Sequence, residues 1–352
     1  MITEKTLKQT MTNDLPKDMS RHLPDSLNSD LRSKMMRWET LLMVFVVIAF
    51  FTNIQLSPYF LDPWSLSDAT FNFTEKAIIA LPMALLIIAR DIDLSVASTI
   101  ALASVAMGFA NTMGAGPIEL ALIGMGVGTV AGFVNGWIIT KFDIPAIVVT
   151  IGTMSLYRGI AYIVLGDEVY RSYPEGFAFF GQGYVWGVLS FEFVLFLCLA
   201  VAFGILLHKT TFGRRVYAIG NNPTAALFSG INVKRHRLFL FTLVGLFAGV
   251  AAVLLTSRIG STRPSIAMGW ELEVITMVVL GGVNIMGGAG SIVGVFIAVF
   301  LMGLVTFGMG LMNVPGIVMS IFTGLLLILV IGTPIIWRRV LTARKMKSKS
   351  GN

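Results

Sequence analysis

The segment His208–Arg237 reads HKTTFGRRVYAIGNNPTAALFSGINVKRHR and separates two long apolar stretches of the chain. We refer to it as the central segment. It contains six Lys and Arg residues and no Asp or Glu. Asn222 can cap a helix, Pro223 suits the first helical position, and Gly230 can adopt the left-handed conformation that ends a helix. The pattern predicts a short helix from residue 222 or 224 to Ser229, and a segment this long is interpreted as a docking surface.

Apolar runs on both sides of the central segment define the class of protein. Of the 352 residues, 55% are hydrophobic and only 13% are charged. The runs are long enough to cross a bilayer, and the single cysteine, Cys198, falls inside one of them, so neither disulfide nor metal chemistry is indicated. Ten spans are predicted, at Leu41–Leu61, Phe73–Ala89, Leu94–Met113, Ile118–Thr140, Ile144–Leu165, Val185–Leu207, Leu238–Ser257, Leu272–Met286, Ile292–Met312 and Val314–Trp337.

The basic residues indicate the orientation of these spans. With the N-terminus inside, 21 of the 26 Lys and Arg residues fall on cytoplasmic segments: the first 37 residues, Arg90, Lys141, the central segment and the residues after Trp337. The positive-inside rule therefore predicts that both termini and the central segment are cytoplasmic. The same rule accounts for the net charge of +7, so no nucleic-acid partner is indicated.

The chain divides into a membrane domain and two tails. Residues 1–36 are polar and contain no apolar run, so they are predicted to form a mobile cytoplasmic tail. Residues 37–337 form the predicted transmembrane domain, with the central segment within it. Residues 338–352 form a basic cytoplasmic tail.

An internal repeat relates the third to fifth spans to the eighth to tenth. DIPAIVVTIGT at Asp143–Thr153 matches NVPGIVMSIFT at Asn313–Thr323. DLSVASTIALASV at Asp93–Val105 matches ELEVITMVVLGGV at Glu271–Val283, and a GAG tripeptide follows in each half. An offset of five spans reverses the direction of each helix. The predicted fold is therefore all-α and polytopic, with about ten transmembrane helices in a 5+5 inverted repeat.

Four pieces of the chain resemble one known family. They are IDLSVAS at 92–98, IPAIVVTIGTMSLYRGI at 144–160, FGRRVYAIGNNPTAALFSGINV at 212–233 and ELEVITMVVLGGVNIMGGAGSIVG at 271–294. The sequence is similar there to the permease subunits of bacterial sugar ABC importers, in the branch of the ribose, xylose, rhamnose and autoinducer-2 systems. The similarity extends from about Trp38 to Trp337. The run at 256–282 is most similar to rhamnose-type permeases, followed by the autoinducer-2 permeases.

This resemblance implies a multi-pass protein of the bacterial inner membrane that hydrolyses nothing itself. Its implied partners are a second permease, identical or related, a cytoplasmic ABC ATPase that binds the ATP, and a periplasmic sugar-binding protein. The implied function is import of a monosaccharide or similar polyol-like ligand by alternating access, with rhamnose favoured and autoinducer-2 or ribose-like ligands next. This chain would carry no cofactor.

The resemblance also gives the central segment a role in coupling to the ATPase. The expected coupling residues are Asn222, Pro223, Thr224, Ala225, Ala226 and Gly230. The broader importer superfamily often has a glutamate where Thr224 stands, so a salt bridge from that position is in doubt here. The alternative is a solvated basic loop, which explains the charges but not the small residues.

Polar residues within the spans are candidates for the substrate path. They are Asp93, Asn135, Thr153, Tyr157, Arg158, Glu271 and Asn284. Carboxylates suit ligands with several hydroxyl donors, but Asp93 and Glu271 begin spans, where capping also favours an acid. Interhelical hydrogen bonds are the alternative for the amide and hydroxyl groups. Arg158 either faces protein or water, or snorkels from the outer end of its span.

Three further features have open interpretations. The glycines between Gly281 and Gly294 indicate close helix packing or a broken helix. Asp91 could pair with Arg90 or with the ATPase. Two predicted outer segments, Gly166–Gly183 and Arg258–Trp270, carry charges that could meet a binding protein, with short solvated loops as the alternative.

A stand-alone secondary transporter or channel is the competing class of function. Ion coupling would usually require acidic groups within the membrane, and only Glu192 is predicted to lie clearly at mid-membrane. An intramembrane enzyme is disfavoured because the sequence has no HExxH pair, GxSxG elbow or Cys/His cluster. It also has no phosphate-binding loop of the Walker type.

Overall fold

The computed structural model describes residues 38–58, 60–166 and 168–329, and these residues are mostly helical. The helices are α1 Trp38–Leu56, α2 Pro63–Phe71, α3 Thr74–Ile88, α4 Val96–Thr112, α5 Pro117–Phe142, α6 Ala146–Leu165, α7 Phe179–Gln182, α8 Phe191–Lys209, α9 Thr211–Asn221, α10 Pro223–Phe228, α11 Val233–Ile259, α12 Trp270–Leu280, α13 Ile292–Leu311 and α14 Gly316–Leu329. The predicted tails at 1–36 and 338–352, and the end of the tenth span, lie outside the described residues.

Each of the ten predicted spans coincides with a helix. Among the described residues, six helices (α1, α5, α6, α8, α11 and α13) are long and apolar enough to cross a membrane alone, and α2 with α3 passes the same test as a pair that is bent by 50° at the junction between them. Helices α4 and α14 are shorter apolar helices, and α12 has only 11 residues. The prediction of an all-α, multi-pass membrane protein is confirmed. The sixth span begins later than predicted, because Val185 lies in a strand before α8.

Within the described residues, two small antiparallel strand pairs connect the loops. Strand β1, Tyr170–Arg171, pairs with β4, Ser261–Thr262. Strand β2, Tyr184–Val185, pairs with β3, Leu189–Ser190, in a hairpin. The pair β1–β4 joins the two segments that the sequence predicted to lie outside, so they form one surface rather than two separate loops.

Helices α5 and α11 pack closely against each other where they cross, and glycines line the contact on both helices. A Cβ atom on Gly128 would meet the Cα of Gly249 at 2.7 Å, and one on Gly245 would meet the Cα of Gly132 at 2.6 Å. The two backbones therefore touch without side chains between them. Small residues that allow such close approach are typical of helix contacts in membranes, where association depends on packing.

Contacts between loops place alternate helix ends on the same face, as ten spans require. The ends of α3 and α5 meet the central segment, into which α8 leads. Arg90, just after α3, donates to Asn221 O (2.9 Å), and Lys234 pairs with Asp143 (2.8 Å). The loop after α12 lies on the same face, because Gly288 N donates to Ile88 O (2.8 Å). We call this the central-segment face. On the opposite face, the Tyr173 and Thr262 hydroxyls share a hydrogen bond (2.7 Å).

The two halves share local geometry at the end of the repeat. Asp143 follows α5 with a φ of 53°, and Asn313 follows α13 with a φ of 56°. A proline comes two residues after each, and α6 and α14 then begin at matching positions. The pairing of Asp93 with Glu271 is less regular, because Asp93 precedes α4 whereas Glu271 lies in the first turn of α12. Superposition of the two halves stays a prediction.

Candidate functional site

The central segment folds into two short helices whose ends are set by local side chains. The Thr210 hydroxyl caps α9 by accepting from Gly213 N. The Asn222 side chain caps α10 by accepting from Ala225 N (3.0 Å), and Pro223 is its first residue. Gly230 has a φ of +81° and ends the helix, which confirms the predicted helix and its stop.

The exposed side of α10 differs from the one expected. Ala226 is only 4% exposed and faces the rest of the chain, so it supports the helix instead of meeting a partner. Ala225 and Thr224 are exposed, and beside them Phe228 is 86% and Leu227 59% exposed. These two apolar residues were missed by the sequence reasoning. They could have been recognised in the sequence as two large apolar residues just before Gly230 in an otherwise polar segment.

A junction of backbone contacts fixes α9 to the membrane helices. The Tyr217 hydroxyl donates to Gly290 O (2.7 Å), and Arg90 donates to Asn221 O (2.9 Å). Burial raises the pKa of Tyr217, so its hydroxyl keeps the proton that it donates. A Cβ on Gly220 would strike Ile88 O, so only glycine fits there. The central segment is therefore held to the end of α3 and to the loop before α13.

The glycines between α12 and α13 allow this junction to form. A Cβ on Gly281 would meet Val295 N at 2.6 Å, and one on Gly288 would meet the Asn221 side chain at 2.8 Å. Gly287 and Gly288 also have positive φ, of 80° and 77°. The run therefore combines both expected features: close packing of helices and a break between them.

Two of the six basic residues of the central segment form ion pairs within the chain. Arg237 binds Asp91 through two hydrogen bonds of 2.6 and 2.5 Å, so Asp91 pairs with neither Arg90 nor an external group. Lys234 pairs with Asp143 on the surface. The basic residues that remain exposed are Lys209, Arg214, Arg215 and Arg235. Arg215 and Arg235 line one pocket together with Gly230, so they give the surface at the end of α10 a positive charge.

A second region is a buried polar network between α4, α5 and α6. Asp93 Oδ1 accepts from Ser95 N (2.8 Å) and Ser95 Oγ (2.6 Å). Asn135 donates to Ser95 Oγ (2.8 Å), and the Tyr157 hydroxyl donates to Asn135 Oδ1 (3.2 Å) and Ala131 O (3.0 Å). All members of this network are buried. Ser95 was missed by the sequence reasoning because serine is common at helix starts.

The network unites three of the seven residues predicted for the substrate path. Thr153 is buried one turn before Tyr157 and donates to Thr150 O in its own helix (3.3 Å). Asn284 does not join the network: it is exposed on the central-segment face, where its side chain accepts from Met286 N (3.0 Å).

Arg158 and Glu271 lie toward the opposite face. Arg158 donates to Pro264 O (2.6 Å) and Ile266 O (2.8 Å), so it holds the loop before α12 in place. This contact supports a structural role for Arg158 toward the end of α6 on the opposite face. Glu271 Oε2 is buried and has no hydrogen-bond partner among the described residues. Neither Asp93 nor Glu271 caps its helix through a side-chain hydrogen bond.

Ion pairs join the ends of three helices, α3, α11 and α12, on the opposite face. Arg258 binds the buried Glu75 (2.6 Å), and Lys76 binds Glu273 (2.5 Å). Arg258 is therefore paired within the chain, and its side chain stays 27% exposed. Glu192 lies in the first turn of α8, not at mid-span as predicted, and its buried oxygens have no hydrogen-bond partner among the described residues.

Exposed charges remain on that face for an external partner. They are Glu168, Arg171, Glu175 and Arg263. The first three follow α6 and the last follows β4, so the β1–β4 pair brings them onto one surface. Burial raises the pKa of Tyr173 beneath this surface to about 12, which keeps its hydroxyl protonated beside Thr262.

Comparison with known proteins identifies the family. The family model described as "Branched-chain amino acid transport system / permease component" matches residues 65–331. The chain belongs to this permease family. The match covers the second to ninth predicted spans and most of the tenth, and it leaves out α1. The expected resemblance to ABC importer permeases is confirmed, and the permease is a transport subunit rather than an enzyme.

The curated relatives of the permease that we describe share one name. The "Autoinducer 2 import system permease protein LsrD" of Escherichia coli strain K12 is 37% identical over 301 residues, which cover 84% of this chain and 91% of that protein. The protein of the same name from Shigella flexneri has the same values, and that of Escherichia coli O157:H7 is 36% identical. No solved structure matches the chain. The preference for rhamnose-type permeases stays a prediction.

Proposed function

We propose that this permease is the membrane-spanning subunit of an ATP-driven importer in the bacterial inner membrane. It receives a small polyhydroxylated ligand from a periplasmic binding protein and releases it into the cytoplasm by alternating access. The names of the relatives favour autoinducer-2, the run at 256–282 favours rhamnose, and ribose-like sugars come next. A second permease completes the translocation path.

The observation that carries this proposal is the exposed face of α10. Phe228 and Leu227 project from a helix that is itself anchored through Ala226 and the junction to α3 and α13. Large apolar groups surrounded by exposed positive charge fit an apolar groove with an acidic rim. Such a groove on a cytoplasmic ATPase would bury Phe228 at its centre, where interface energy concentrates.

The buried network is our candidate for ligand contact within the path. Asp93, Ser95 and Asn135 together offer carboxylate, hydroxyl and amide groups, which suit a ligand rich in hydroxyls. The network is closed in this structure. We propose that it opens to the ligand when the turn between α3 and α4 shifts, because Asp93 and Ser95 both belong to that turn.

Replacing Phe228 with aspartate is expected to abolish ATP-driven uptake while leaving the permease folded. The change removes a large apolar anchor and places a charge in the groove, at a cost of at least about 2 kcal/mol. This corresponds to roughly 30-fold weaker ATPase binding. The measurement is ATPase pull-down and ATP-dependent uptake in proteoliposomes that contain the permease, the ATPase and the binding protein. Labelled autoinducer-2, rhamnose and ribose serve as ligands.

Lys209→Gln is the control for this experiment, because it removes an exposed charge away from α10 and should retain assembly and uptake. Normal assembly in Phe228→Asp would show that α10 is not the coupling surface. Uptake by the permease alone, without ATPase or ATP, would contradict the importer proposal and favour a secondary transporter or channel. Lack of uptake of all three ligands, with ATPase binding intact, would contradict only the ligand class.

Single-cysteine labelling is expected to place the central segment inside the cell. Ser229→Cys and Glu175→Cys are made in a chain whose native Cys198 is replaced by serine. Residue 229 is exposed and avoids the positive φ of Gly230. A membrane-impermeant maleimide added to spheroplasts should label position 175, and should label position 229 only after permeabilisation. Labelling of 229 from outside would overturn the orientation.

A further inference from the structure

Aromatic residues project from the opposite face at one side of the protein. Trp64 is 53% exposed on α2, and Trp186 is 81% exposed at the tip of the β2–β3 hairpin. Tyr184 joins them: its ring meets Trp64 edge-on, with centroids 5.4 Å apart, and its hydroxyl donates to Asp68 (3.1 Å). We call Leu61, Trp64, Tyr184 and Trp186 the aromatic collar.

The collar is held in place by contacts between α2 and the hairpin. Ser67 donates its hydroxyl hydrogen to Val188 O, and the Thr70 and Ser190 hydroxyls share a hydrogen bond (3.1 Å). The Ser190 side chain also caps α8 by accepting from Phe193 N. Helix α2 and the hairpin therefore form one unit, fixed directly at the ends of α3 and α8.

The tip of the hairpin is conformationally costly. Trp186 has a φ of 52° and Gly187 a φ of 77°. Glycine tolerates this region, but a bulky residue there is uncommon because its Cβ crowds the backbone. Observed backbone strain of this kind is a reason to look for a function. Here the strain accompanies a tryptophan side chain that makes little contact with the rest of the described chain.

The position of the collar indicates what it contacts. Helix α2 is bent by 50° from α3, so it leaves the direction of the span at the point where the span ends. The exposed apolar side of α1, which includes Phe51 and Leu56, leads to Leu61 without an intervening charge. The lipid-facing surface is thus continuous with the collar. Trp and Tyr concentrate where acyl chains meet headgroups, because their rings are apolar with one polar atom.

We propose that the aromatic collar is a lipid-binding surface that anchors α2 and the β2–β3 hairpin in the headgroup–acyl boundary of the bilayer. The occupant is phospholipid, not protein. The collar keeps the starts of α3 and α8 at a fixed depth while other helices move. This inference depends on the membrane fold and not on the transported ligand.

Fluorescence quenching from two sides tests the proposal. The chain has six tryptophans; in one variant only Trp186 is kept and the other five are replaced by phenylalanine. The protein is placed in vesicles of phosphatidylcholine brominated on the acyl chains, and separately exposed to aqueous iodide. Emission from Trp186 should be blue-shifted, lose intensity to the brominated lipid and lose little to iodide.

The matched control is Glu175→Trp in a chain with every native tryptophan replaced, because residue 175 is exposed on the same face in a charged loop. It should show the reverse pattern. If a single-tryptophan chain does not elute as folded protein, bimane on Val188→Cys, with Cys198 replaced by serine, gives the same readout with all tryptophans present. Quenching of position 186 by iodide and not by brominated lipid would overturn the proposal. Protection of that site from iodide by the binding protein alone would identify a protein-docking surface instead.

Discussion

Gly128→Val is expected to prevent stable packing of α5 on α11. The added Cβ would lie against the backbone oxygen of Gly245 and 2.7 Å from Gly249 Cα, and backbone atoms cannot rotate away. Overpacking typically costs about 1–3 kcal/mol, and a site with only main chain around it should reach or exceed the top of that range. We expect loss of monodisperse protein in detergent after mild heating, measured by fluorescence-detected size exclusion.

Gly126→Val is the matched control in the same helix. Gly126 is exposed, and a Cβ there would have no neighbour within 4 Å. Both variants place a β-branched residue in α5, so the difference between them isolates the crossing with α11. Equal heat resistance of the two variants would mean that the crossing is looser than described.

Arg258→Met should be the other severely destabilising change. Arg258 neutralises Glu75, whose side chain is fully buried, and Glu192 lies buried nearby without a hydrogen-bond partner among the described residues. Removing one member of a buried ion pair typically costs about 3–5 kcal/mol, because the remaining charge is uncompensated. The same heating assay should show a large loss of folded protein.

Two further variants separate charge from packing at this site. Arg263→Met removes an exposed arginine five residues further along the chain and should be nearly neutral. Glu75→Gln combined with Arg258→Met removes both charges and should recover much of the loss, since a neutral amide is easier to bury. A double variant no better than Arg258→Met would show that packing of the arginine side chain matters more than its charge.

Local chemistry explains which features the sequence could predict. The start and stop of α10 depend on Asn222, Pro223 and Gly230, which lie within nine residues of each other, so the helix was predictable. The direction in which Ala226 points depends on packing against the rest of the chain. No pattern within the segment contains that information, and its burial was therefore missed.

The buried network shows the same limit for long-range contacts. Asp93, Asn135 and Tyr157 were recognisable as polar residues within apolar surroundings. Their connection through Ser95 requires three segments to meet in space, which depends on how the helices pack. By contrast, the crossing of α5 with α11 left a readable signal: glycines recur every four residues at 124, 128, 132 and 136. Such spacing places them on one face of a helix.

The junction beneath the central segment has a mechanical consequence. Three close contacts form this junction: the Gly288–Ile88 hydrogen bond, the Tyr217–Gly290 hydrogen bond and the packing of Gly220 against Ile88 O. The parts that they join can therefore shift little relative to each other. If α10 is displaced, the end of α3 is therefore expected to move with it. Beyond α3 the chain is non-helical over residues 89–95, which include Asp93 and Ser95. We therefore expect a displacement at the central-segment face to change the shape of this turn, which closes the buried network.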